Sequence, residues 1–138
     1  MALSNQKQVE ALAIKITGCA DSIHDRLMTA IKNKEIDQFT AQSIFQDEAI
    51  LRQRANGLYI DAANCVVDGL SESQKSIIDL IDTAKEKIRT IKETASFIDL
   101  IADLLVLAAA AYAAKPAPTL AALKEVKEDI DALSEDCS

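Results

Sequence analysis

The sequence predicts an all-α fold: an elongated, antiparallel up-down bundle of three long helices with a short fourth helix at the C-terminal end. Three observations carry this. Apolar residues make up 49% of the 138 positions, mostly Ala, Ile and Leu, while aromatics are only 4%. Gly occurs three times and Pro twice, too few for the tight turns of a β domain. Apolar positions recur in steps of three and four over long stretches, the period of an amphipathic helix. The length suits one domain, residues 1–138, with a continuous core.

The first helix is expected over about residues 5–32, capped by Ser4 or Asn5. Val9, Leu12, Ile16, Cys19, Ile23, Leu27 and Ile31 form its inward stripe. Asn33 to Ile36 then make a turn without Gly or Pro. Asp37 is placed to cap the second helix, with Ile36 packing onto Ala41 as a hydrophobic staple.

The second helix is expected over about residues 38–68, with Ile44, Leu51, Ala55, Leu58, Ala62 and Cys65 inward. Gly57 lies within it and marks close packing or a kink. Gly69 supplies the stop.

The third helix is expected over about residues 72–114. Ser71-Glu72-Ser73-Gln74 fits a capping box. The stripe Ile77, Ile81, Ala84, Ile88, Ile91, Ala95, Ile98, Ala102, Leu105, Ala109, Tyr112 alternates steps of four and three, as in a coiled-coil seam. Pro116 and Pro118 end the helix. The fourth helix is expected over about residues 120–133, capped by Thr119.

A hairpin of helices two and three about Gly69–Leu70 would set Asp37 opposite residue 103. Leu104 to Ala114 would then overhang the start of helix two. That segment is apolar on all sides, and such a helix must be covered. Helix four covers one side; a second copy of the chain or a protein partner covers the rest. The expected contact surface is Leu104, Val106, Leu107 and Tyr112, with the acidic residues Glu125, Glu128 and Asp129 of helix four.

Charge narrows the partner. The chain carries 22 acids, 15 Lys and Arg, and a net charge of -7. Residues 93–138 hold nine of the acids and three of the bases, so the charge is concentrated next to the apolar segment. Phosphate binding needs a basic surface, which excludes nucleic acid. Basic partners are favoured.

Chemistry is sparsely provided. His24 is the only histidine. Asp21 and Asp25 flank it, but a di-metal bundle site needs a carboxylate–histidine pair from two helices. Cys19 and Cys65 fall on inward stripes and read as small apolar residues; Cys137 lies in the acidic tail. Three cysteines cannot all pair within one chain, and a reduced, cytoplasmic protein is expected. Asp99 and Asp103 read as the end of a solvated face. Lys85, Lys87, Arg89 and Lys92 stand among acids at salt-bridge spacing. There is no phosphate-binding glycine loop and no nucleophile–base set. No enzyme activity, cofactor or metal is expected. Met1 to Glu10 have no basic stretch followed by an apolar run, so no signal peptide is expected.

The favoured expectation is therefore an acidic helical protein that binds a protein partner, as an inhibitor or immunity protein, chaperone or adaptor does. The alternative is a membrane-active protein. In it residues 97–114, which resemble the apolar element of α-helical pore-forming toxins, form a concealed insertion segment released by helix four.

Overall fold

The computed structural model describes residues 1–136, and Cys137 lies outside them. Five helices succeed one another: α1 (Gln6–Lys32), α2 (Gln38–Ile60), α3 (Gln74–Thr90), α4 (Thr94–Ala113) and α5 (Pro116–Asp136), with a 3-10 turn at Ala62–Asn64. Among the described residues there is no strand.

The first two helices start where their side chains can satisfy the free backbone N–H groups. Asn5 Oδ1 accepts from the Gln8 N–H at 2.9 Å, and Asp37 Oδ1 accepts from the Thr40 N–H at 2.7 Å. They run antiparallel, because Asp21 meets Arg52 while His24 meets Glu48. Ile36 and Ala41 both pack against the core beside the turn.

Helix two is shorter than expected, ending at Ile60 rather than residue 68. The segment that follows is occupied by the N-terminus. The Leu3 carbonyl accepts from the Val67 N–H at 2.8 Å, and the Ala2 N–H donates to the Glu72 carbonyl at 2.9 Å. Ala2, Leu3, Val67 and Leu70 are buried together in the core. Gly69 has a positive φ of 81°, but it turns the chain inside this loop instead of ending a helix.

The expected capping box also moves. Ser73 is the cap, accepting from the Ser76 N–H at 3.0 Å. Gln74 instead clasps the N-terminal segment: its Oε1 accepts from the Leu3 N–H at 3.0 Å and its Nε2 donates to the Gln8 carbonyl at 3.1 Å.

The largest correction is in the third helix. It is two helices, α3 and α4, separated at Ile91–Glu93. Three bonds show that α3 runs alongside α1 in the same direction: Gln74 to Gln8, Lys15 to Asp82, and Arg26 to the Ile91 carbonyl. The chain then reverses, and α4 runs alongside α2. Arg54 Nη1 donates to the Leu105 carbonyl, and Tyr112 Oη donates to Asp61 Oδ2. Helices α2 and α3 make no packing contact, so the expected hairpin between them does not form. Nor does the overhang: residues 104–114 lie between α2 and α5.

The reversal also cuts the coiled-coil seam. Ile77, Ile81, Ala84, Ile88 and Ile91 are buried as expected. Beyond the turn the inward set becomes Phe97, Leu100, Ile101, Leu104, Leu107, Ala108 and Ala111, while Ala95, Ala102, Ala109 and Tyr112 are exposed.

After Ala114, in the left-handed conformation at φ 60°, α5 begins at Pro116, four residues earlier than expected. Proline suits the first turn of a helix, where its missing N–H has no partner to lose. Thr119 is therefore not a cap. It is buried, and its hydroxyl donates to the Lys115 carbonyl at 2.7 Å.

The packing closes on itself. Contacts run from α1 to α2, α2 to α4, α4 to α5, α5 to α3 and α3 back to α1, while α1 also touches α4 across the middle. The core fills that circuit, with Leu12, Ile16, Leu51, Ile81, Leu104 and Val126 inside it.

Candidate functional site

The face of α4 that points away from the core leaves a run of apolar residues in water. On a helix of 3.6 residues per turn, the inward set leaves Ala95, Asp99, Ala102, Val106, Ala109 and Ala113 on the opposite side. All six are exposed, Val106 at 58%. Five of them are apolar. On the α2 side the strip is bordered by Ile98 and Ile50, which are 37% and 38% exposed. Arg54 stands on that border too, but its guanidinium is engaged by the Leu105 carbonyl at 3.0 Å.

The other border is acidic. Asp103 points toward α5, where Glu125 and Asp129 meet it, and the three carboxylates bring oxygens within 4.8 Å of one another. Asp103 Oδ2 is buried and has no hydrogen-bond partner. Burial pushes the Asp103 carboxyl up to about 8; a hydrogen bond with Asp129, and then the charges of Asp129, Glu125 and Asp99, push the same way. A bond between two carboxyls forms only while one carries a proton, and no positive charge offsets the repulsion. These are the residues that could hold a cation. At one oxygen each the three carboxylates supply three of the roughly six to eight oxygens that Ca²⁺ takes, and the remainder would fall to water.

The expected contact residues are thus divided. Leu104 and Leu107 are fully buried. They belong to the core, because the reversal at 91–93 turns this side of α4 inward. Val106 and Tyr112 are exposed, as are Glu125 and Glu128, with Asp129 half-buried. Tyr112 is tied at its hydroxyl, which donates to Asp61 at 2.7 Å; that bond raises its own pKa. Ile98, Ala102 and Ala109 belong to the surface although the sequence pattern assigned them to a seam, while Asp103, expected at the end of a solvated face, is half-buried with one oxygen withdrawn from water.

A second polar cluster, between α1 and α2, involves His24. Its Nδ1 lies 2.9 Å from Oε1 of Glu48, a buried carboxylate. Arg52 Nε donates to the other oxygen of Glu48 at 2.9 Å, and its Nη1 donates to Asp21 at 2.7 Å. Both oxygens of the carboxylate are partnered, one from each helix, so the cluster ties α1 and α2 together. Glu48 fills the helical step between Ile44 and Leu51 on the inward side of α2, so the periodicity marks the position, but the apolar stripe read from the sequence passed over it because the residue is charged.

Other concave surfaces of the described residues include two with aliphatic or aromatic linings. A groove of about 450 Å³ between α3 and α5 is lined by Ile77, Leu80, Leu123 and Ile130 with Lys124 and Lys127. A recess at the α1–α2 turn is lined by Ile31, Ile36, Ala41 and Phe45, with Gln38, Gln42 and Gln46. Neither gathers a catalytic set. Cys19 is buried, its Sγ 3.6 Å from the Ile81 carbonyl, and burial pushes the thiol up to about 12. Such a thiol is a poor nucleophile.

Protein-family models, curated proteins and solved structures all give no match to this chain.

Proposed function

We propose that this chain is a non-enzymatic, acidic helical protein that binds a protein partner through the outer face of α4 and the adjoining edge of α5. The observation that carries the reading is the uncovered apolar strip Ala102–Val106–Ala109 with Ile98 and Ile50 at its border. Apolar area left in water forgoes about 25 cal/mol per Å², and contiguous strips of this kind mark interaction surfaces. Val106, Tyr112, Glu125, Glu128 and Asp129 are the contact residues of this reading. Inhibitor or immunity protein, chaperone and adaptor are the roles it suits, in the cytoplasm, with a second copy of the chain as an alternative occupant.

The test is affinity capture from the native host with the full chain as bait, beside the Val106→Glu variant, followed by mass spectrometry. One stoichiometric partner lost with the variant is the expected result. Equal recovery with both baits, or no stoichiometric partner, overturns the reading.

A second reading, membrane activity, is favoured by one observation: Thr94–Tyr112 is long and apolar enough to cross a bilayer. Against it stand Asp99 and Asp103, each costly in hydrocarbon. Leakage from anionic liposomes, abolished by Val106→Glu, is the result that would replace the first reading with this one.

A further inference from the structure

The two borders of the α4 strip differ in charge, and this constrains what can lie on it. On the α5 side Asp103, Glu125 and Asp129 are brought together by the α4–α5 hairpin, their carboxylate oxygens within 4.8 Å of one another. On the α2 side, Arg54 is spent on a backbone carbonyl and Ile50 and Ile98 extend the apolar area. The bases of α5 do not relieve the acids, since Lys124 and Lys127 line the groove against α3. From its centre outward the face therefore presents small apolar residues, then a carboxylate ledge along one edge.

From this asymmetry, and resting on the protein-binding reading above, we infer that the occupant of the α4 face is an amphipathic helix of a partner protein. Its apolar side lies along Ala102, Val106 and Ala109, and a row of Lys or Arg along one flank meets Asp103, Glu125 and Asp129. The Ala residues let a helix approach closely, and Val106 is the one larger side chain at the centre of the strip. The basic flank supplies the positive charge that the carboxylate cluster lacks within its own chain. A second copy of this chain is a poor occupant, because its own strip carries the same acidic ledge and the whole molecule has a net charge of -7.

The experiment is a nuclear magnetic resonance titration of the full chain with two designed helical peptides. One has a Leu/Ala face and a Lys flank; the other is identical with Glu replacing Lys. The Lys peptide is expected to shift the amides of residues 98–109 and 121–129, weakening as salt is raised, while the Glu peptide shifts nothing. Val106→Glu, at an exposed position that leaves the fold intact by circular dichroism, and the pair Glu125→Gln with Asp129→Asn are each expected to weaken binding at least tenfold. Shifts elsewhere, as at Phe39 and Phe45, or affinity unchanged in both variants, overturn the inference and leave the protein-binding reading standing on the capture experiment. Absence of binding up to about 1 mM overturns it as well. So does sedimentation as a dimer that Val106→Glu dissolves, which would assign the face to a second copy.

Discussion

Asp103 of α4 and Asp129 of α5 bring carboxyl oxygens within 4.8 Å of each other across the interface between the two helices. Burial, the hydrogen bond to Asp129 and the surrounding acids raise the Asp103 pKa from 3.8 to about 8. The folded chain thus holds a proton that the unfolded chain releases near pH 4, so stability falls as pH rises from about 4 to about 8. Asp103→Asn removes this titration and can donate a hydrogen bond to Asp129. The variant is expected to lose less stability in urea than the parent does between about pH 4 and about pH 8. At pH 8 it should be more stable than the parent by about 1 kcal/mol, a figure discounted for the partial exposure of the site.

Glu48 should matter more than its place on a helix stripe implies. It joins His24 to Arg52 and lies at 5% exposure. Removing one partner of a buried ionic pair costs about 3–5 kcal/mol when the other charge stays buried. Here His24 and Arg52 keep access to water, at 41% and 37%, so Glu48→Ala is expected to cost about 1–3 kcal/mol. Urea unfolding at neutral pH measures it.

Gly57 can be improved upon. A Cβ there would meet Tyr112 Cε2 at 3.8 Å, an ordinary contact. Close packing of α2 does not require the glycine. Gly57→Ala is expected to raise stability by about 0.5–1 kcal/mol, visible as a higher midpoint in thermal unfolding.

Arg26 is expected to hold the α3–α4 reversal. Its Nε donates to the Ile91 carbonyl and its Nη2 to Glu35, each at 2.7 Å. Arg26→Met keeps the stem and removes both bonds, at an expected cost of about 1–3 kcal/mol. Hydrogen exchange should rise at the N-terminus of α4 more than in the middle of α1; a uniform rise would contradict a local role.

Cys19 should be inert. Its thiol titrates at about 12, so at pH 8 almost no thiolate forms. Peptide mapping after brief iodoacetamide treatment of the native chain is expected to find Cys19 unlabelled, and labelled only in urea.

What the sequence made legible was local. The side chains of Asn5 and Asp37 cap within three residues of themselves, and α1 and the start of α2 were expected where they lie. The end of α4 before Pro116 has the same local origin. The Ile91 reversal was illegible because it has no Gly or Pro, and the group that takes its carbonyl is 65 residues away. The end of α2 was hidden for a similar reason, since Val67 bonds to Leu3. The candidate site inherited the first error. A stripe read straight through residue 91 keeps one phase, whereas the reversal sets a new one. Leu104 and Leu107 turned inward, and Ala102 and Ala109 turned out. Val106 survives as surface because it is exposed under either phase, and Glu125 and Glu128 because the phase of α5 does not depend on the reversal.

In the closed circuit of helix contacts α5 packs on two helices, α4 and α3. Withdrawing α5 therefore uncovers two apolar edges at once, and the best match for that gap is the same helix from another molecule. The α5 helix follows α4 after a link of two residues, Ala114 and Lys115. Exchange of α5 between two chains would reproduce its contacts with α4 and α3 between molecules.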